Sequence, residues 1–121
     1  LNYMSQSTYA DMIPAYEKEA KKVRVRAINL NMLGDPIRIE GVVERVYFRF
    51  LNRPQYLIAD RSGAISVKMF TSPKEDVKKG DVVEVLGSVM KRYIVTGDAV
   101  VNAVAITRVD REKSAPEKRK K

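Results

Sequence analysis

Three short runs in this chain interleave cations with aromatic rings. They are Arg45, Tyr47, Arg49 and Arg53; Lys68 and Phe70; and Lys91, Arg92 and Tyr93. Guanidinium and ammonium groups neutralise phosphates, and flat rings give bases a stacking surface worth roughly 1–3 kcal/mol per base. That chemistry is binding. Covalent chemistry has few candidates, because the chain contains no Cys and no His. Their absence removes thiol catalysis, cysteine zinc sites, the commonest general base and the commonest nitrogen ligand. No Asp or Glu cluster has calcium-loop spacing. The expected protein is not an enzyme and takes no cofactor and no metal.

The net charge of +8 favours a polyanion as ligand. Residues 111–121 carry six Lys/Arg against two Glu, half of that excess. The remainder of the chain is only mildly basic, so charge supports a nucleic-acid ligand without establishing one.

The elements that must hold these residues lie between Ile37 and Asp110. Apolar and polar residues alternate there, which is the period of half-buried strands. Strands are expected at 37–50, 55–60, 64–70, 81–95 and 99–109. Ser72-Pro73-Lys74-Glu75 has the spacing of a capping box, so 73–79 reads as a short helix ending at Gly80. The fold class is all-β with minor helix: a five-stranded barrel with a short helix between strands 3 and 4 and an N-terminal helix. Gly41 and Gly87 are read as bulges that bend the two long strands. Ile37, Ile39, Tyr56, Ile58, Ile65, Val67, Met69, Val83, Val85 and Val89 should face inward. Ser66, Lys68 and Phe70 then face outward. Tyr47 and Phe48 leave the first strand on opposite faces, one toward ligand and one toward core. The phase beyond the bulge leaves open which is which.

At the N-terminal side, Asp11 is an expected N-cap, which places Pro14 in the first helical turn. Tyr9, Met12, Ile13, Tyr16, Ala20 and Val23 share one stripe. This stripe either covers an open end of the barrel, the favoured reading, or docks a protein partner. Val23 to Leu30 alternates as a lead-in strand would, with Arg24 and Arg26 as edge charges that discourage sheet pairing. The domain reading is an N-terminal segment 1–22, a barrel 23–110 and a basic flexible tail 111–121. Met4 is a candidate start, in which case Leu1 to Tyr3 are foreign. No apolar run or secretory h-region is legible, so a soluble intracellular protein, cytoplasmic or nuclear, is expected.

The residues 37–110, about three-fifths of the chain, resemble the OB-fold of the middle subunit of replication protein A. They are similar also to the related subunit of the telomere-capping CST complex. The motif is Asp60-x-Ser62-Gly63-x-Ile65-x-Val67-x-x-Phe70, followed by Gly80-Asp81-x-Val83-x-Val85-x-Gly87, with Ile28-x-Leu30 upstream. The resemblance implies stacking of single-stranded DNA on Phe70 and, allowing a one-residue offset, on Tyr93. The family's C-terminal assembly helix has no counterpart in 111–121, which is too short and too charged. Single-stranded DNA binding within a replication-protein-A-like complex is the leading expectation. RNA binding in a ribonucleoprotein and protein docking by the barrel are the alternatives.

Overall fold

The computed structural model describes residues 6–47, 54–69, 76–92 and 98–109, with the side chains of 6–12 excluded. The elements run α1 (Gln6–Glu19), β1 (Lys21–Lys22), β2 (Pro36–Tyr47), β3 (Gln55–Asp60), β4 (Gly63–Met69), β5 (Val82–Lys91) and β6 (Ala99–Arg108). Two 3-10 turns, Val25–Ala27 and Leu30–Met32, link β1 to β2.

Strand order is β1-β2-β3-β4-β6-β5, and β2 also pairs with β5, which closes β2 to β6 into a five-stranded barrel. The β4–β6 pairing is parallel, with Val67 opposite Val101; the other barrel pairings, the closing β2–β5 one included, are antiparallel. Period-2 alternation then sends one side of every strand inward. Ile37, Ile39, Tyr56, Ile58, Ile65, Val67, Met69, Val83, Val85 and Val89 all lie in the buried cluster, as expected from sequence. Each fully buried side chain of this size contributes roughly 1.5–3 kcal/mol of transfer free energy.

The bulges differ from expectation. In β2 the register against β3 shifts between Val43 and Arg45, so Glu44 is the extra residue and not Gly41. Gly41 is required for a different reason: a Cβ there would collide with the Ala59 carbonyl oxygen. The second irregularity does fall at Gly87, between Leu86 and Gly87, but the unpaired residue is Val104 on β6.

The N-terminal helix starts at Gln6, before the expected cap Asp11, and Pro14 therefore sits inside it. An interior proline costs an isolated helix about 3 kcal/mol, and 14 residues are marginal alone. Packing holds it instead. The helix contacts β2, β5 and β6, and Ile13, Tyr16 and Ala20 are half-buried on one stripe. Arg38 Nη2 donates to the Glu17 carbonyl at 3.2 Å, satisfying one of the helix's orphan C-terminal acceptors. Arg38 is paired with Leu86, in the outward phase of β2 and β5. The helix therefore covers the outer wall and not the barrel end. Val25 and Ile28 from the first 3-10 turn and its cap enter the core beside the β3–β4 hairpin. The expected lead-in strand Val23 to Leu30 does not form: the two-residue β1 precedes it, 25–27 are a 3-10 turn, and Arg24 and Arg26 are not edge-strand charges. Of the expected 73–79 helix, 73–75 lie outside the described residues; the remaining four are not helical, with 76–78 irregular, 79 in a turn and Val77 buried. Among the described residues, no helix is long and apolar enough to cross a membrane.

Candidate nucleic-acid interface

The Glu44 bulge decides which side chains reach the outer face. Val43 is opposite Ile58 and fully buried. After the extra residue, Arg45 lies opposite Leu57 and Tyr47 opposite Gln55, both in the outward phase. Val46 turns in against the core. Without the bulge, Arg45 and Tyr47 would follow Val43 inward.

Two outward rows result. One runs Arg45–Leu57–Ser66 and the next runs Tyr47–Gln55–Lys68–Asn102 across β2, β3, β4 and β6. Strands about 4.8 Å apart and a rise of about 3.3 Å per residue make this patch roughly 10 Å by 7 Å between Arg45 and Lys68. That span is close to the Debye length at 0.1 M salt, so its cations act together.

Arg92, just past β5, joins the patch from the far side. Its Nη2 lies 3.3 Å from Ser66 Oγ. Its Nε donates to Asp98 Oδ1 at 2.7 Å, and its carbonyl accepts from Lys68 Nζ at 3.1 Å. The Arg92 hydrogen bond, aided by its charge, holds the Asp98 carboxyl below the usual carboxylate range. A ligand therefore meets two half-buried cations, Lys68 and Arg92, already oriented. Arg45 is exposed and makes no ion pair among the described residues.

Of the expected binding residues, Arg45, Tyr47, Lys68 and Arg92 are brought together. Lys91 is not: it pairs with Ala99, whose side chain packs on the core, and so lies in the opposite phase from Arg92. Arg49, Arg53, Phe70 and Tyr93 lie outside the described residues, as does Phe48. Sequence reasoning missed Ser66 and Asp98 as supports of Arg92. Lys91 opposite Ala99 would have placed Asp98 across from Arg92, but only once the loop length is known. Among the described residues, no three His, Cys, Asp or Glu side chains gather as metal ligands would.

No family model matches the chain, and no curated protein matches it. Solved structures are similar at low identity. One is asparaginyl-tRNA synthetase from Pyrococcus horikoshii complexed with asparaginyl-adenylate (TM-score 0.59, 18% identity, 75% of this chain, 23% of the synthetase). Another is a replication protein A heterotrimer bound to ssDNA (TM-score 0.53, 18% identity, 69% of this chain, 65% of that one). A third is the second OB-fold domain of replication protein A from Methanococcus maripaludis (TM-score 0.58, 18% identity, 74% of this chain, 96% of that one).

The barrel is an OB-fold. Identity this low carries the fold alone, and the chain spans less than a quarter of the synthetase's length. Within the OB-fold, the outward rows on β2, β3 and β4 form a cationic patch with one described aromatic, Tyr47.

Proposed function

We propose that this OB domain binds single-stranded nucleic acid, DNA in preference to RNA, without catalysing a reaction. The observation that carries the reading is the Glu44 bulge, which turns Arg45 and Tyr47 outward into the same patch as Lys68 and Arg92. Cations would neutralise phosphates, and bases would stack on Tyr47. By sequence position, Phe70 and Tyr93 would extend the stacking surface. The replication protein A heterotrimer bound to ssDNA supports the DNA assignment, and membership of a similar multi-subunit complex belongs to the same reading. The intracellular assignment rests on it too.

The test is fluorescence anisotropy with 15-mer oligo-dT, the matched oligo-rU and a 15-base-pair duplex, each at two salt concentrations. Binding of oligo-dT that weakens with salt, with little duplex affinity, is expected. Preference for oligo-rU would replace DNA by RNA, because only a reader of the 2′-OH favours it. No affinity for any of the three would leave protein docking as the barrel's role.

A further inference from the structure

The β3–β4 hairpin carries a second basic cluster, away from the Lys68 row. Arg24, Arg26 and Arg61 line one concavity of ≈ 570 Å³ together with Asp60 and Ser62. All three arginines are exposed, and none forms an ion pair among the described residues. The one carboxylate in the concavity is already committed. Asp60 Oδ2 accepts from the Val25 N–H at 2.9 Å. Its Oδ1 accepts from the Ser62 N–H at 2.7 Å, the Ser62 hydroxyl at 2.5 Å and the Gly63 N–H at 3.2 Å. The Arg26 N–H donates to Ser62 Oγ at 2.9 Å. The chain entering the barrel is therefore pinned to the hairpin, and three guanidinium groups face one carboxylate around the hollow, leaving a local excess of two positive charges.

A neighbouring concavity of ≈ 520 Å³ joins this cluster to the first patch. Arg26 lines both, and the second is walled by Gly63, Ala64 and Ile65 of β4 and by Asp98 and Ala99. Asp98 is the partner of Arg92. A trough thus leads from Arg92 along the edge of β4 to Arg24 and Arg61, over a floor with no large side chain at Gly63 and Ala64.

We propose that a single strand longer than the first patch continues along this trough and lays its phosphates on Arg24, Arg26 and Arg61. This rests on the reading of the domain as a single-strand binder and adds where the strand goes. The ligand group is backbone phosphate, and contacts to phosphate position a strand without reading its sequence.

The experiment compares wild type with an Arg24→Gln, Arg26→Gln, Arg61→Gln triple variant on oligo-dT of 8 and 20 nucleotides. The main-chain bonds from Val25 and Arg26 survive the change, and far-UV circular dichroism with a urea midpoint confirms the fold. The 20-mer should bind about tenfold to a hundredfold more weakly at 0.1 M salt, with the log–log salt slope reduced by about 2 for three lost contacts. The 8-mer should be unaffected. A triple Arg→Lys variant should recover most of the 20-mer affinity, which a packing role would not produce. Unchanged 20-mer affinity, or equal losses for both lengths, overturns the trough and leaves the first patch standing. Wild type that binds neither oligonucleotide overturns both.

Discussion

Arg92 Nε and Asp98 Oδ1 lie 2.7 Å apart, between the end of β5 and the start of β6, so the patch's far-side cation is already engaged by an exposed carboxylate. A phosphate must compete with Asp98 for the same guanidinium. Asp98→Asn keeps an acceptor for Arg92 and removes the competing charge. It should tighten oligo-dT binding about fivefold at 0.1 M salt and steepen the salt slope by about 0.7, the increment for one more phosphate contact. Anisotropy titrations at several salt concentrations measure both. Unchanged or weaker binding would mean that Asp98 orients Arg92 for ligand and does not compete for it.

Tyr47 ends β2 at 37% exposure, in register with Gln55 and Lys68. An exposed ring there has little to do for the core. Tyr47→Ala should therefore lower oligo-dT affinity by roughly 1–3 kcal/mol, the range for one stacked base. The urea midpoint should move little, since surface substitutions usually change stability by less than about 0.5 kcal/mol. Tyr47→Phe keeps the ring and should bind as wild type does. A large stability loss with unchanged affinity would reassign Tyr47 to packing.

The barrel was legible because its core strands alternate plainly. Ile65, Val67 and Met69 fall on one face whatever their partners are, and all three are buried. The phase beyond Val43 was not legible. Gly41 attracted the bulge, yet its small size serves the close approach of Ala59. The residue that is bulged, Glu44, has no local feature to mark it, because the shift exists only in the pairing with β3. The entering segment failed for a related reason. Val23 to Leu30 alternates, but pairing with β2 stops after Lys22, and Val25 and Ile28 then turn inward at the three-residue spacing of a 3-10 turn. The Asp11 and Pro14 signals did not set the helix start: α1 begins at Gln6 with Pro14 inside it, and it packs on β2, β5 and β6. Arg24 and Arg26 gained their setting from the hairpin, which local pattern does not encode.

Asp60 links that hairpin to the entering segment, and its titration should show in the acid limb. Burial pushes its carboxyl up, but hydrogen bonds from the Ser62 side chain and the Val25, Ser62 and Gly63 N–H groups outweigh this and hold it below its ordinary value. Between the lowered folded value and the unfolded value of about 3.9, the unfolded chain carries the proton and the folded chain does not. Acidification through that window therefore favours unfolding. The stabilisation is fully present above the unfolded value and lost as pH falls through the folded one. Asp60→Asn should cost about 1–2 kcal/mol at neutral pH and show a shallower loss from pH 5 to pH 2. Urea midpoints across that range measure it. Parallel acid limbs for wild type and variant would show that Asp60 contributes nothing to acid sensitivity.

Gly41 and Gly34 separate two reasons for a glycine. At Gly41 an added Cβ would lie 2.9 Å from the Ala59 carbonyl carbon and 3.0 Å from Ile58 Cγ2, and nearer still to the Ala59 oxygen. Those atoms belong to the β3 ladder and to the core, so Gly41→Ala must push β2 away from β3 just before the Glu44 bulge. A cost of about 2–3 kcal/mol is expected from such overpacking. Gly34 has nothing within 4 Å of its would-be Cβ, but its φ is +84°. Gly34→Ala should cost only the left-handed backbone penalty, about 1 kcal/mol. The two variants should differ in binding as well. Displacing β2 at residue 41 disturbs the register that sets Arg45 and Tyr47 outward, so Gly41→Ala should weaken oligo-dT binding even where it remains folded. Gly34→Ala should leave binding at the wild-type level. Urea denaturation and anisotropy on both proteins test the pair, and a Gly41→Ala protein that binds normally would show that the bulge holds its register without help from that close contact.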